Sequence, residues 1–354
     1  MKAVTIRRMS AALRSFAFLA STGMLVAGLM QAPMSSAPAA TIERLDPRFD
    51  RLVPRDVKVE PIVDGLDWVE GPVWRQRTND LLFSNIPKNV VMRWSASEGL
   101  SVFLHPSGYT GKEPFTGPEP GSNGLTLDAE GNLVLCQHGD RRITRINKDG
   151  SRTVLAERFE GKRFNSPNDL VFASDGSLYF TDPPYGLPKT FDDPGKELSF
   201  QGVYRRAPDG SIALLTRELR APNGIALSPD GKTLYVANSD RQNAIWVAYP
   251  LLDGGKRLGP GRVFASVQKF VAERPGAPDG LKIDREGNVF ATGPGGVYVF
   301  SPEGTHLGSI LFNQPTGNCA WGEDGSTLFV TSNKSVYRAR LTTSGPIPGA
   351  APRS

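Results

Sequence analysis

Residues 168–182 read NDLVFASDGSLYFTD, and this stretch decides the fold. Apolar and polar residues alternate on both sides of the turn Ser174-Asp175-Gly176, which is typical of two half-buried β-strands joined by a tight turn. Gly176 is expected to take the positive φ that such a turn requires. We therefore interpret the stretch as an antiparallel hairpin that opens on the polar residue Asn168.

The same pattern occurs five more times, which makes it an internal repeat. Each copy opens on a polar residue, continues as an alternating strand, turns and enters a second strand. The opening residues are Glu70, Asn123, Asn168, Asn223, Asp279 and Asn318. Their spacings are 53, 45, 55, 56 and 39 residues. A third and usually a fourth strand follow each hairpin, and repeats of this kind are typical of propeller blades.

The sequence therefore predicts an all-β fold, a six-bladed β-propeller of four-stranded antiparallel blades. The sixth repeat lacks a fourth strand, because the chain from residue 342 onward is rich in Ser, Gly, Pro and Ala. The strand-like segment VKVEPIV at 57–63 precedes the first repeat, so we expect it to complete the last blade and close the ring. This predicts a propeller at 57–341, an N-terminal extension at 40–56 and a flexible tail at 342–354.

Residues 1–39 have the pattern of a secretory signal peptide. Four basic residues, an apolar run at 16–30 and the cleavage site Ala37-Pro38-Ala39 follow one another. The basic residues are Lys2, Arg7, Arg8 and Arg14. An uncleaved membrane anchor is the alternative, and the arginine pair leaves the choice between Sec and twin-arginine export open. We expect an exported protein, periplasmic or secreted.

Cleavage would change the charge of the chain. The full sequence has 41 basic and 36 acidic residues, a net charge of +5, and removing 1–39 leaves 37 against 36. A nearly neutral mature chain gives no support for nucleic acid or a membrane as a partner. Two cysteines and three histidines argue against a disulfide scaffold or a multi-cysteine zinc site. We interpret Cys136 and Cys319 as buried free thiols, with a disulfide between them left open.

The six opening residues occupy one equivalent position, which we place immediately before the innermost strand of each blade. Six-fold equivalence would direct six oxygen-bearing side chains to the axis, at one end of the central channel. Two carboxylates and four amides, without His or Cys, form a donor set that suits Ca²⁺. Mg²⁺ and Mn²⁺ come next, and Zn²⁺ prefers nitrogen and sulfur. Taken singly, each Asn or Asp before Gly is an ordinary turn residue, so the prediction depends on the whole set.

Four stretches of the sequence stand out beyond the repeat: WVEGPVW (68–74), NSPNDLVFASDGSLYFTDPPYGL (165–187), APNGIALSPDGKTLYVANS (221–239) and APDGLKIDREGNVFATG (277–293). Together they resemble the senescence-marker-protein-30/gluconolactonase/luciferin-regenerating-enzyme family. NGLTLDAEGNLVLCQHGDRRITR (123–145) is similar to the bacterial gluconolactonase branch. The resemblance covers residues 55–341 and implies a six-bladed propeller that holds one divalent cation in its channel.

The resemblance also implies roles for particular residues. The resemblance implies metal ligands at Glu70, Asn223 and Asp279. It also implies one at Asn168, which corresponds to an Asn that binds the metal in some members and contacts the substrate in others. Asp279 would also be the catalytic base or nucleophile. One position departs from the pattern: Ser166 stands where sugar-lactonase members carry Arg two residues before the Asn, which puts a sugar-acid substrate in question but leaves the metal site intact.

Three further residues are predicted to contact the substrate. Asn123 opens the second repeat, and His138 and Tyr185 each follow a second strand of a hairpin, where a side chain could reach the channel mouth. Histidine titrates near neutral pH, so His138 could also move a proton. A hydrogen-bonded structural role is the alternative for His138.

The combined pattern predicts a metal-dependent lactonase that opens a small-molecule lactone. The first choice of substrate is a sugar aldonolactone such as gluconolactone. Asp279 would activate the attacking water. Two alternatives stay open: hydrolysis of phosphotriesters or other esters at the same site, or a non-catalytic ligand-binding propeller with structural calcium. The sequence has neither a Gly-x-Ser-x-Gly elbow nor a phosphate-binding glycine loop. It gives no indication of the oligomeric state.

Overall fold

The computed structural model describes Met1 and residues 37–349. Apart from its two ends, the predicted signal peptide lies outside these residues, as do residues 350–354. Everything described below belongs to one compact unit, 35–354. No helix in the described part of the chain is long and apolar enough to cross a membrane.

Six antiparallel sheets follow one another along the chain, each beginning with its innermost strand. Blade 1 contains Val69–Arg75, Asp80–Asn85, Val90–Ser95 and Gly99–Leu104. Blade 2 contains Ser122–Leu127, Leu133–Gln137, Arg142–Ile146 and Arg152–Ala156. Blade 3 contains Leu170–Phe172, Leu178–Asp182, Gly202–Arg206 and Ile212–Thr216.

The remaining three blades repeat this order. Blade 4 contains Pro222–Leu227, Thr233–Asn238, Ile245–Leu252, Arg257–Leu258 and Arg262–Ser266. Blade 5 contains Leu281–Ile283, Val289–Gly293, Gly296–Phe300, His306–Leu311 and Thr41–Arg44. Blade 6 contains Thr316–Gly322, Thr327–Ser332, Ser335–Arg340 and Val59–Val63. The first strands of successive blades contact one another, and that of blade 6 contacts that of blade 1, so the ring is closed.

Little regular structure lies outside the blades within residues 37–349. A two-stranded hairpin pairs Arg158–Phe159 with Lys162–Arg163. The α-helix is the four-residue Phe49–Leu52, and 3₁₀ turns lie at Ile86–Lys88, Thr190–Asp192 and Gln268–Phe270. The predicted all-β propeller of six blades is confirmed.

The ring closes as predicted from the sequence. Val59–Val63 pairs antiparallel with Ser335–Arg340 and supplies the missing outer strand of blade 6. A second closure was not predicted: Thr41–Arg44 pairs with His306–Leu311 and adds a fifth strand to blade 5. Part of the predicted N-terminal extension is therefore a strand of the propeller, because the outer edge of blade 5 offers free main-chain groups to pair with.

The hairpin turns have the predicted chemistry. Gly176 has φ +81° and Gly231 has φ +67°, a conformation that side chains with a Cβ rarely adopt. Between the blades, large side chains interlock. Trp74 of blade 1 stacks on Phe329 of blade 6 with ring centroids 5.1 Å apart. Such contacts fill the wedges between neighbouring sheets and hold the ring together.

The two cysteines lie inside this core. Cys136 and Cys319 are both buried and both free, which confirms the interpretation as unpaired thiols. Burial raises the pKa of the Cys319 thiol to about 12, so the thiol stays protonated and has little nucleophilic character. Neither cysteine is therefore a candidate for chemistry.

The described part of the predicted flexible tail, residues 342–349, is docked on the ring. The Arg285 amide donates to Ser344 O at 2.9 Å, and the Gly345 amide donates to Gly325 O at 3.0 Å. Pro346 and Pro348 help line an apolar cavity of about 90 Å³ at one end of the channel. The sequence did not predict this docking, which covers apolar ends of the inner strands.

Candidate metal centre and active site

The chain order sets which loops surround the opening residues. Because neighbouring strands are antiparallel, the connection into each first strand and the connection from second to third strand lie at the same end of the ring. We call this end the site face. The turns between the first and second strands lie at the opposite end. Two long loops contribute to the site face: 105–121, which leads into blade 2, and 183–201, which follows the second strand of blade 3.

The opening residues meet around one axis, as the repeat predicted. Neighbouring blades approach each other so closely there that only glycine fits. A Cβ at Gly71 would lie 2.2 Å from Asn123 O, and a Cβ at Gly317 would lie 2.1 Å from Glu70 Oε1. Gly224 has the same relation to blade 5. Contacts of this kind from one blade to the next place the six openings in a ring, which we call the oxygen ring.

The exact position of the opening residues differs from the prediction in four blades. Asn168 and Asp279 precede their first strands, as expected. The opening residues of blades 1, 2, 4 and 6 instead lie within the first strand, beside a shift of register. In blade 1 the shift falls between Glu70 and Val73. A bulge of this kind bends the strand and re-aims its side chain, which explains how a residue within a strand can face the axis.

The two carboxylates of the oxygen ring lie in surroundings that raise the pKa of both. The pKa of Glu70 is raised to about 8, first by burial and then by the carboxylates of Asp169 and Glu119, while the Gly71 amide and Lys282 oppose the shift. Although Asp279 as a residue is half-buried, desolvation of its carboxyl raises its pKa well above the usual range, and the Glu70 carboxylate adds to this. Acidic groups in these surroundings favour a proton or a cation.

Asn223 fits the position of a metal ligand. Its side-chain amide donates to Ser239 Oγ at 3.0 Å, which fixes the orientation of the group. Asn223 Oδ1 is buried and has no hydrogen-bond partner among the described residues. A buried carbonyl oxygen without a partner costs free energy, and an oxygen-ligated cation such as Ca²⁺ would satisfy it. Ser239 Oγ also contacts Pro278 O, next to Asp279.

Asp169 is a third buried carboxylate near the axis, and the sequence interpretation missed it. Its Oδ2 accepts from Asn318 Nδ2 at 3.3 Å, and Lys282 Nζ donates to Asn318 Oδ1 at 3.2 Å. Asn318, which opens the sixth repeat, is thus engaged by protein groups. A signal existed: Asp169 occupies the place that Gly takes after the opening Asn of repeats 2 and 4. No group of three or more His, Cys, Asp and Glu side chains within the described part of the chain has metal-binding geometry, so a site here needs the amide oxygens.

Hydroxyl groups on the second strands support the oxygen ring from behind. Ser84 Oγ donates to Asn123 O at 2.8 Å, and Thr181 Oγ1 donates to Asn223 O at 2.7 Å. Thr292 Oγ1 donates to the main chain of blade 6 at 2.7 Å. Each bond crosses from one blade to the next. The hydroxyls therefore fix the relative positions of the ring main chains, a role the sequence interpretation did not assign.

The three predicted substrate contacts lie at the site face in different settings. Asn123 is buried in the oxygen ring. Tyr185 is half-buried, and burial together with the nearby Asp279 carboxylate raises the pKa of its hydroxyl. His138 is fully buried, with Nδ1 2.7 Å from Glu119 Oε2. The structural, hydrogen-bonded role considered for His138 is therefore present.

Ser166, the departure from the family pattern, is fully buried. Its hydroxyl donates to Pro183 O at 2.6 Å and accepts from the Gly186 amide at 2.9 Å. The Asp182 carboxylate accepts from the main-chain amide of Ser166 at 2.8 Å. Both residues thus fix the start of the 183–201 loop, which brings Tyr185 over the site face.

These features define a class of protein, a six-bladed propeller with an oxygen-rich polar centre at one end of its channel. The family described as "SMP-30/Gluconolactonase/LRE-like region" matches residues 68–334. The chain belongs to this family.

Individual relatives agree with the family assignment. The gluconolactonase of Zymomonas mobilis is 41% identical over 322 residues, which cover 88% of this chain and 89% of the relative. A solved structure of a gluconolactonase from Xanthomonas campestris is 33% identical, covers 86% of this chain and 96% of its own, and has a TM-score of 0.74. A regucalcin structure from Agrobacterium tumefaciens, 18% identical, covers 82% of this chain and 94% of its own, with a TM-score of 0.62. That likeness concerns the fold alone.

Proposed function

We propose that the protein is a lactonase that works with one divalent cation, with Ca²⁺ as the first choice. The observation that carries the proposal is Asn223 Oδ1, which is buried without a hydrogen-bond partner in the described part of the chain and lies beside the acidic pair Glu70 and Asp279. Glu70, Asn168, Asn223 and Asp279 would hold the cation. The names of the Zymomonas and Xanthomonas relatives support lactone hydrolysis as the reaction.

When bound, the cation would polarise the lactone carbonyl and stabilise the negative charge that develops on its oxygen. The protein's own groups would then do the proton transfers. Asp279 accepts a proton from the attacking water as a bond forms between the water oxygen and the carbonyl carbon. The bond from that carbon to the ring oxygen breaks, and the proton passes to the ring oxygen, which leaves as an alcohol. The product is a hydroxy acid.

The surroundings of Asp279 suit this role. Its raised pKa makes the carboxylate a stronger base than an exposed aspartate. A bound cation would lower the pKa again, so the position of the carboxylate matters as much as its basicity. The Asp279 charge helps to raise the pKa of the Tyr185 hydroxyl, so the two side chains lie near each other. Tyr185 is therefore placed to contact a substrate at the same opening.

A chelation experiment tests the proposal. Purified protein is assayed by the drop in pH on gluconolactone, on an unsubstituted lactone and on a phosphotriester, before chelation, after it and after Ca²⁺ is restored. We expect lactone turnover that is lost on chelation and returns with Ca²⁺. Turnover that survives complete removal of metal would contradict the metal role. Turnover of the phosphotriester alone would contradict the lactonase function. So would a protein that binds Ca²⁺ and turns over none of the three substrates.

We also propose that the protein is exported and cut after Ala39. The described strand Thr41–Arg44 begins two residues later, so cleavage there would preserve the fifth strand of blade 5. The protein is expressed in the source cell type, and the protein found outside the cytoplasm is sequenced from its N-terminus. We expect its first residue to be Ala40. An intact N-terminus on membrane-bound protein would support the uncleaved anchor instead.

A further inference from the structure

A carboxylate that the mechanism above does not use lies on the loop 105–121 at the site face. Glu119 Oε2 is 2.7 Å from His138 Nδ1. A quarter of the Glu119 side chain is exposed, whereas the His138 side chain is fully buried. The pair therefore has an inner member without solvent contact and an outer member that a ligand can reach.

Glu119 faces the same opening as the proposed catalytic residues. After the larger effect of burial, its carboxylate contributes to the raised pKa values of Glu70, Asp279 and Tyr185. The energy of such an interaction falls as the distance between the two charges grows. Glu119 thus lies at the edge of the space in which a molecule bound beside Asp279 would sit.

His138 is held firmly by its neighbours. Its main-chain amide donates to Gly121 O at 3.1 Å. A Cβ at Gly186 would lie 2.6 Å from His138 Cβ, so the 183–201 loop packs directly against the histidine. His138 Nε2 is buried and lacks a hydrogen-bond partner within residues 37–349. Within the described residues, Glu119 is therefore the hydrogen-bond partner of the His138 imidazole.

We propose that Glu119 contacts the substrate and accepts hydrogen bonds from the hydroxyl groups of a polyhydroxylated lactone, and that His138 is a positioning residue that fixes the Glu119 carboxylate. The inference rests on the proposed lactonase function and specifies its substrate class. A carboxylate accepts only, and hydroxyl groups supply the donors it needs. With Oε2 engaged by His138, Oε1 remains for the substrate.

Discrimination between two lactones follows from this arrangement. An aldonolactone carries several hydroxyl groups around the same ring as its carbonyl, whereas δ-valerolactone has the six-membered ring and no hydroxyl group. A site built to hydrogen-bond a substrate hydroxyl favours the substrate that has it. Loss of the pair should therefore affect the first substrate and spare the second.

The test compares kcat and KM on glucono-δ-lactone and δ-valerolactone for variants of the Ca²⁺-loaded protein. For Glu119→Ala we expect kcat/KM on gluconolactone to fall about 10- to 100-fold, mostly through KM, with the valerolactone value within about twofold of wild type. The matched control is Glu113→Ala, since Glu113 is an exposed carboxylate on the same loop. It should change neither substrate.

Two variants of His138 test the positioning role. His138→Phe removes the donor and should reproduce the selective loss on gluconolactone. His138→Asn keeps a donor near the place of Nδ1 and should restore much of it. Thermal unfolding and Ca²⁺ binding of each variant report whether it folds. If His138→Phe does not fold, Glu119→Ala decides the substrate contact. His138→Asn then decides the positioning role, because a selective loss on gluconolactone as large as that of Glu119→Ala would contradict it.

Three outcomes would overturn the inference. Equal losses on both lactones would mean that Glu119 acts in the chemistry or the fold. Unchanged kinetics on both would mean that it has no role. If the wild-type protein hydrolyses neither lactone, the lactonase function fails and this inference fails with it, which separates that case from the other two.

Discussion

The side-chain amide of Asn223 donates to Ser239 Oγ at 3.0 Å, and this bond leaves Asn223 Oδ1 buried without a partner among the described residues. The serine thus determines which atom of the amide faces the oxygen ring. A ligand oriented by a neighbouring hydrogen bond is typical of metal sites.

Removal of either residue should weaken cation binding. Ser239→Ala frees the amide to rotate, and we expect the Ca²⁺ affinity to fall roughly 10-fold or more. Asn223→Ala removes the oxygen itself and should cost at least as much. Calorimetric titration with Ca²⁺ measures both. Gln242→Ala, at an exposed position in the same loop, is the matched control. Unchanged affinity in Asn223→Ala would show that the cation, if bound, lies elsewhere.

The raised pKa of Glu70 predicts how stability depends on pH in the chelated protein. The folded group has a pKa of about 8 against a usual 4.5, so between these values the folded state binds more protons than the unfolded state. The contribution of Glu70 to the free energy of unfolding should therefore be greatest below pH 4.5. It should fall as the pH rises towards 8, by an amount on the order of a few kcal/mol.

Urea denaturation in chelator at several pH values, on wild type and Glu70→Gln, measures this dependence. The variant lacks the titrating group, so its stability should fall less steeply between pH 5 and 8. Parallel curves for the two proteins would contradict the assignment. Ca²⁺ should bind more tightly as the pH rises, because binding displaces the proton.

The glycines of the oxygen ring should not tolerate a side chain. A Cβ at Gly224 would lie 2.2 Å from Asp279 O, so Gly224→Ala must push apart blades 4 and 5. We expect a loss of roughly 1–3 kcal/mol in the free energy of unfolding together with weaker Ca²⁺ binding. Gly195→Ala, where a Cβ meets only a side-chain oxygen of Asp193, is the control. Wild-type stability and affinity in Gly224→Ala would argue against the close approach.

The docked segment 342–349 should stabilise the ring without affecting the site. Ending the chain after Leu341 removes Ile347 from the core and breaks the bonds at Arg285 and Gly325. We expect the free energy of unfolding to fall by roughly 2–4 kcal/mol, with Ca²⁺ affinity within about twofold of wild type. Deleting only residues 350–354 is the control. A large loss of Ca²⁺ affinity in the longer deletion would show that segment 342–349 also supports the metal site, which would contradict the prediction.

The sequence predicted most of the fold because the repeat is regular. Alternation recurs in every blade, and an Asp-Gly or Glu-Gly turn joins the first two strands in all blades but the first, so one hairpin at 168–182 identifies the rest. The closing strand at 59–63 was predictable because blade 6 visibly lacked one. The strand Thr41–Arg44 was not, since four residues are too few for a clear alternation, and its pairing depends on an edge that only the folded blade 5 presents.

The site was predictable to the extent that it follows the repeat. Glu70 and Asp279 stand out as carboxylates at positions where other repeats have Asn. Glu119 and Ser239 lie in loops with no repeated pattern, and only the packing of those loops brings them to the site face. The docking of Pro346 and Pro348 likewise depends on a surface formed by several blades. Long-range contacts of this kind leave no local signal in the sequence.

The most direct test of the central claim is the Asp279→Asn variant, measured for both Ca²⁺ binding and lactone turnover. The amide keeps an oxygen for the cation but is a poor base. We therefore expect Ca²⁺ binding to persist while kcat on gluconolactone falls roughly 10²- to 10⁴-fold. Wild-type turnover in this variant, with Ca²⁺ bound, would contradict the account.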